Sequence, residues 1–131
     1  MTFTHRLRVR YSECDQQGIV FNGNYLFYYD VAITELWRAS FGGYHGMLER
    51  DLDLVVAEAR LRFVEGARFD EELDIAMPVH HLGTTSMIIK PEFRVDGRLI
   101  VDGEVRHVFV DPRTLKKKPM PDDIRETLAN A

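Results

Sequence analysis

The sequence predicts an α+β fold in which an antiparallel sheet of about five strands wraps around one long central helix. Three observations carry this expectation. The stretch Asn24–Phe41 is apolar on nearly every side, broken only by a row of Asp30, Thr34 and Arg38 with Glu35 beside it. A helix lying on a surface shows one apolar face, so this one is expected inside the fold. One stretch before it and four after it alternate apolar and polar residues with period two, as a strand with one wet face does. They run on through turns, and hairpin-linked strands are antiparallel.

The first strand is read from Phe3, His5, Leu7, Val9 and Tyr11, alternating with Thr4, Arg6, Arg8 and Arg10. A loop over residues 12–23, with Asp15, Gly18 and Gly23, leads into the helix, and Gly42, Gly43 and Gly46 end it. The second strand puts Val55, Ala57, Ala59, Leu61 and Phe63 on one face and Glu58, Arg60 and Arg62 on the other. Leu73, Ile75, Met77 and Val79 mark a third; Met87, Ile89, Phe93 and Val95 mark a fourth. Pro91 inside the fourth lacks an amide donor and so predicts a bulge or an edge position. Asp96-Gly97 is a hairpin signal, and Leu99, Val101, Val105 and Phe109 form the fifth strand. Pro121 opens a short closing helix with Ile124 and Leu128 on one face.

At 131 residues the chain reads as one domain, residues 1–131, large enough for a sizeable core. A net charge of −4 with both signs interspersed points away from nucleic acid. Charges between His5 and Asp15 interrupt any leading apolar run, and no stretch of about 18 apolar residues exists, so a cytoplasmic protein with no membrane partner is expected. The single cysteine, Cys14, excludes an internal disulfide and thiol-pair metal motifs. The five histidines have no ligand-like spacing, so no metal is expected. With no His or Lys beside it, Cys14 reads as a small buried filler.

Residues 9–25, VRYSECDQQGIVFNGNY, resemble the active-site segment of hotdog-fold acyl-CoA thioesterases of the 4-hydroxybenzoyl-CoA thioesterase-like family. The family's pattern there is roughly V-x-Y-x-[DE]-[TC]-D-x-x-G-x-V-[YF]-x-x-x-Y. Residues 55–63 with Ala67-Arg68-Phe69-Asp70, and Phe109-Val110-Asp111 with Lys118-Pro119-Met120-Pro121, are similar to its second strand and turn and to its last strand and tail. The resemblance implies a hotdog fold and hydrolysis of an acyl-CoA thioester. It implies no cofactor, coenzyme A entering as part of the substrate. It also implies a homodimer with sheets joined edge to edge and sites between protomers, or a homotetramer of such dimers.

The same resemblance implies Asp15 as the catalytic carboxylate, with backbone amides of Asn22, Gly23 and Asn24 polarising the thioester carbonyl. The chemistry agrees. Thioester hydrolysis needs a nucleophile or base on one side of the carbonyl and donors where the oxyanion develops, and a helix N-terminus supplies such donors. Attack by Asp15 through an anhydride and activation of water by Asp15 both remain open, and Asp also shapes turns without doing chemistry. Gly18 lets the loop fold back, and Gly23 lets backbone approach the thioester. Gln16, Tyr25 and Arg60 are candidates for substrate binding, while Glu13, two residues from Asp15, reads as facing solvent. Among the other cations, Arg62, Arg68, Lys90 and Lys116 to Lys118 are candidates for the phosphates of coenzyme A. Relatives often carry His or Tyr at the position of Asn22, so an acidic side chain is not expected there.

Two other classes compete. A non-catalytic acyl-CoA or acyl-carrier binding module would keep the fold without turnover, and Asp15 argues against it. A hotdog dehydratase needs a histidine beside the central helix, and none lies between His5 and His45.

Overall fold

The structure, a computed structural model, describes residues 2–131. In chain order it contains β1 (Thr4–Arg8), a 3-10 turn (Tyr11–Glu13), α1 (Asn24–Phe41), α2 (Tyr44–Leu48), β2 (Asp53–Phe63), β3 (Glu72–Ala76), β4 (Val79–Leu82), β5 (Ser86–Ile89), β6 (Glu92–Val95), β7 (Arg98–Val110) and α3 (Asp122–Ala129). Every strand pair is antiparallel. β7 is the spine: β2 pairs along one side of it, and β6 and β5 share the other side end to end. β3 and β4 lie outside β6 and β5, and β1 forms the far edge beside β3.

These segments are the five expected strands, two of them broken. The third predicted strand is interrupted at Pro78 and the fourth at Pro91, so the two interruptions lie side by side in the sheet. Proline has no N–H to give to a ladder. Gly103 on β7 donates its own N–H to the Pro91 carbonyl at 3.2 Å across the break. The hairpin at Asp96-Gly97 has φ of 49° and 79°, both in the left-handed region that a two-residue turn of this kind needs.

The concave face of the sheet packs on α1. Tyr25, Tyr29, Ala32, Leu36 and Trp37 from the helix meet Ile75, Met87, Phe93, Val101 and Phe109 from the strands, and Leu52, Ile124 and Leu128 close the ends. Each large apolar side chain buried this way contributes roughly 1.5–3 kcal/mol. Gly42, at φ 76°, stops the helix: its N–H donates to the Arg38 carbonyl at 3.1 Å, and Gly43 N–H donates to the Trp37 carbonyl at 3.3 Å. Within the core, His107 Nε2 lies 2.7 Å from the Tyr29 hydroxyl, and burial pushes the imidazole down to about 4. Among the described residues its Nδ1 has no partner.

Two expectations need correction. Helix α1 is not wrapped on all sides: Leu26, Phe27 and Val31 are exposed, Phe27 at 72%. Five strands give one concave face, which covers only one side of a helix. The faces of β2 also change along its length. A bulge between Val56 and Glu58 leaves Ala57 unpaired, so Leu54 and Val56 stand opposite buried Phe109 and His107 while Val55 joins the outer face. Downstream, Ala59, Leu61 and Phe63 face the helix, as predicted. Among the described residues no element covers the free edge of β2, and Val56 and Phe63 stay 57% and 50% exposed. The outer face of the sheet is charged, with Arg6 on Asp74 and Arg62 on Asp102, both at 2.7 Å.

Candidate active site

Asp15 sits on a loop that is tied down on both sides. Its N–H donates to the Ile19 carbonyl at 2.9 Å, and Gly18 N–H donates back to the Asp15 carbonyl at 3.0 Å. Gly18 makes this return at φ 80°, the left-handed conformation that favours glycine. The Asp15 side chain accepts Gln17 N–H at Oδ1, 2.8 Å away, while Oδ2 has no partner among the described residues. The downstream end of the loop is stitched to residues 66–68: Val20 N–H donates to the Ala67 carbonyl at 2.8 Å, and Ile19 bridges Arg68. The approach is so close that a Cβ at Gly66 would lie 2.6 Å from Ile19 Cγ2.

The upstream end is held by Glu13, which the sequence reading turned to solvent. The structure makes it a half-buried hub instead. Its carboxylate Oε1 accepts Arg10 N–H at 2.7 Å and the Tyr28 hydroxyl at 2.8 Å. Its carbonyl accepts Phe21 N–H at 2.9 Å and Asn24 Nδ2 at 2.8 Å. A 3-10 turn over Tyr11–Glu13 replaces the extended chain assumed from sequence, and that turn points the carboxylate inward. Burial and the Glu13 carboxylate push the Tyr28 phenol up.

At the start of α1, the three expected donors separate. Among the described residues the N–H groups of Asn22 and Gly23 donate to nothing. Asn24 N–H is engaged, donating to the Phe21 carbonyl at 2.9 Å, so Asn24 fastens the helix to the loop rather than facing substrate. Asp15, Asn22 and Tyr25 line one cleft of about 340 Å³ with Phe63, Val64 and Gly66. Tyr25 forms its floor: the ring packs on Tyr28, Phe63 and Phe93, and the hydroxyl accepts Ala67 N–H at 3.3 Å. Burial raises that phenol as well.

Gln16 lines a second cleft on the other side of Asp15, with Tyr11, Cys14, Gly18 and Phe69. Cys14 is half-buried rather than a core filler, and burial pushes its thiol up. Arg60 does not join the site. It stands on the charged outer face, paired with Glu104 at 2.5 Å, in a cleft that shares no residue with either cleft at Asp15. Among the described residues no group of His, Cys, Asp and Glu is arranged to hold a metal, and no helix is long and apolar enough to cross a membrane.

The arrangement is one free carboxylate oxygen, two unpaired amides at a helix start and an apolar floor. The family model for the thioesterase-like superfamily matches residues 9–128 of this chain. The chain belongs to the thioesterase-like superfamily. Within reach of that superfamily, the chain is 26% identical over 123 residues to the acyl-CoA thioester hydrolase YbgC of Escherichia coli O6:H1, covering 93% of this chain and 92% of the relative. A solved structure from Thermus thermophilus superposes with a TM-score of 0.89 at 27% identity, covering 99% of this chain and 97% of that one. The 1,4-dihydroxy-2-naphthoyl-CoA thioesterase of Synechocystis shares the fold, with a TM-score of 0.85 at 19% identity and 99% and 97% coverage. The hotdog architecture of this thioesterase-like chain is thereby shown.

Proposed function

We propose that this chain hydrolyses acyl-CoA thioesters at the cleft beside Asp15. One observation carries the reading: the free Oδ2 of Asp15 and the unpaired amides of Asn22 and Gly23 belong to the same short loop, in a chain of the thioesterase-like superfamily. The name of the Escherichia coli relative supports coenzyme A as the carrier. The carbonyl oxygen of the thioester points at the two amides, and negative charge growing on it is stabilised by them and by the dipole of α1. Asp15 then works by one of two routes. As a base it takes a proton from water, hydroxide adds to the carbonyl carbon, the C–S bond breaks, and the proton passes to the leaving thiolate. As a nucleophile it displaces the thiolate directly, forming a mixed anhydride that water cleaves. Either route needs only water and the carboxylate, so no cofactor is invoked.

The proposal includes a homodimer joined through β2. That strand leaves a long edge unpaired, with Val56 and Phe63 exposed along it, the kind of edge a second chain covers. The test is thiol release from benzoyl-, short-chain and long-chain acyl-CoAs by wild type and Asp15→Asn. Turnover of at least one substrate, lowered about a thousandfold or more in Asp15→Asn with folding intact, is expected. Equal rates in the two proteins would remove Asp15 from the mechanism, and acyl-CoA binding without turnover would make the chain a binding module.

A further inference from the structure

We propose that the cleft between β1 and α1 is a second binding site, which takes a free carboxylic acid with an apolar tail and slows turnover at Asp15 when filled. The effect on turnover rests on the acyl-CoA reading above; the binding does not. After Arg8 the chain leaves the sheet. Val9 N–H still donates to the Glu71 carbonyl and Asp70 N–H to the Val9 carbonyl, both at 2.9 Å, and the 3-10 turn at Tyr11–Glu13 then leads toward Asp15. Between this departing segment and the uncovered flank of α1 lies a cleft of about 570 Å³, a size that suits a small molecule. It shares no residue with the cleft at Asp15, Asn22 and Tyr25, and meets the cleft at Gln16 only at Tyr11 and Phe69. It lies at the sheet edge remote from β2, so a copy joined through β2 leaves it open.

The walls of this cleft are largely apolar. Leu7 and Val31 line it with the rings of Tyr11 and Phe69, which stand edge to face at 5.7 Å. Tyr11, Val31 and Phe69 are exposed, so apolar surface remains for a ligand to take from water. The charges in the cleft are matched, except one. Arg8 is held by Asp70 and Glu72. The Glu13 carboxylate accepts the Tyr28 hydroxyl and the backbone N–H of Arg10. The Arg10 guanidinium lines the cleft and, among the described residues, makes no ion pair.

An apolar cleft with one unmatched guanidinium fits one anion carried on an apolar body. A carboxylate meets the guanidinium through two parallel N–H···O bonds while its tail covers Val31 and Phe69. Coenzyme A does not match this charge pattern, because its several phosphate charges would face one free cation with Glu13 and Asp70 beside it. Hydrolysis of an acyl-CoA releases a free carboxylic acid, so the occupant belongs to the chain's own class of product. Bound at Arg10, its carboxylate adds negative charge next to Glu13, two residues from Asp15 and from the loop where the thioester oxygen gains charge. Turnover falls while the Asp15 cleft stays open to substrate, and accumulated product slows its own formation.

Decanoate and decanol, which differ in the carboxylate, are titrated calorimetrically into wild type, Arg10→Gln and Val31→Trp. Arg10→Gln keeps the backbone N–H that Glu13 accepts, and Val31→Trp fills the cleft from an exposed position, so both are expected to melt as wild type does. Arg10→Gln is expected to weaken decanoate by about tenfold with decanol unchanged, and Val31→Trp to abolish both. Decanoate bound equally by all three proteins, or by none, would overturn the site. In steady-state kinetics, saturating decanoate is expected to lower the kcat of wild type by about fivefold or more with KM unchanged, and to leave both variants at their wild-type kcat. A rise in KM alone would make decanoate a competitor at Asp15 and overturn the effect on turnover. The expected binding pattern in a chain that hydrolyses no acyl-CoA would sink the thioesterase reading and leave the site in place.

Discussion

Tyr28 donates its hydroxyl to the Glu13 carboxylate at 2.8 Å, across the seam between the central helix and the loop that carries Asp15. The same carboxylate oxygen receives Arg10 N–H. Helix, loop and the end of the first strand are thus fixed to one atom. Tyr28→Phe removes the hydroxyl and keeps the ring, so it is expected to cost about 1–3 kcal/mol of stability by urea titration. Turnover should fall with it, since Asp15 is two residues from Glu13. Wild-type stability and turnover together would show that the seam is held elsewhere.

Gly23 offers a clean removal of one amide. Its φ of −63° is the angle proline imposes, and among the described residues its N–H donates to nothing. A Cβ there meets only the Phe21 ring, at 3.1 Å, a side chain free to turn. Gly23→Ala should therefore keep most of the wild-type kcat, while Gly23→Pro should lose a factor on the order of 10²–10³. Equal kcat values for the two variants would exclude this amide as an oxyanion donor.

Gly66 is read from packing instead. With a Cβ placed 2.6 Å from Ile19 Cγ2, Gly66→Ala forces the Asp15 loop away from the strand segment behind it. A loss of roughly 1–3 kcal/mol is expected, with kcat lowered more than KM is raised. Thermal unfolding and steady-state kinetics read both.

His107 sets an acid limit on stability. Burial pushes its pKa from 6.5 to about 4, so the unfolded chain takes up a proton that the folded chain refuses. Stability is insensitive to this group above pH 6.5, falls as pH drops from 6.5 toward 4, and is lowered by about 3 kcal/mol at the end of that window. His107→Gln keeps a polar partner for the Tyr29 hydroxyl and cannot titrate. Urea midpoints at pH 7 and pH 4.5 should differ clearly less in the variant than in wild type.

Much of this was legible in the residues. Period two gave the five strands, Pro91 its break, and Asp96-Gly97 its hairpin, because each is a local property of backbone or side-chain alternation. Asp15 and Gly18 were legible through a motif whose spacing reflects a folded-back loop. What stayed hidden was non-local. The inward turn of Glu13 depends on Tyr28, fifteen positions away, and the role of Gly66 depends on Ile19 lying against it. The bulge at Ala57 left no mark in the alternation, so the faces of β2 were misread upstream of it. Arg60 was put forward on charge alone, and charge does not say which face of a strand it occupies.

Strand β7 also governs when the chain can fold during synthesis. It is the pairing partner of β2, β5 and β6, yet its first residue is Arg98. Until the ribosome has released it, β2 has no neighbour and the apolar flank of α1 has only part of its sheet. Folding is therefore a late, largely single event set by long-range pairing, and it is slow by the standards of helical domains of this size. Throughout that wait the nascent chain displays β2 with both of its edges unpaired, so the strand is open to pairing with another emerging chain before its own β7 arrives.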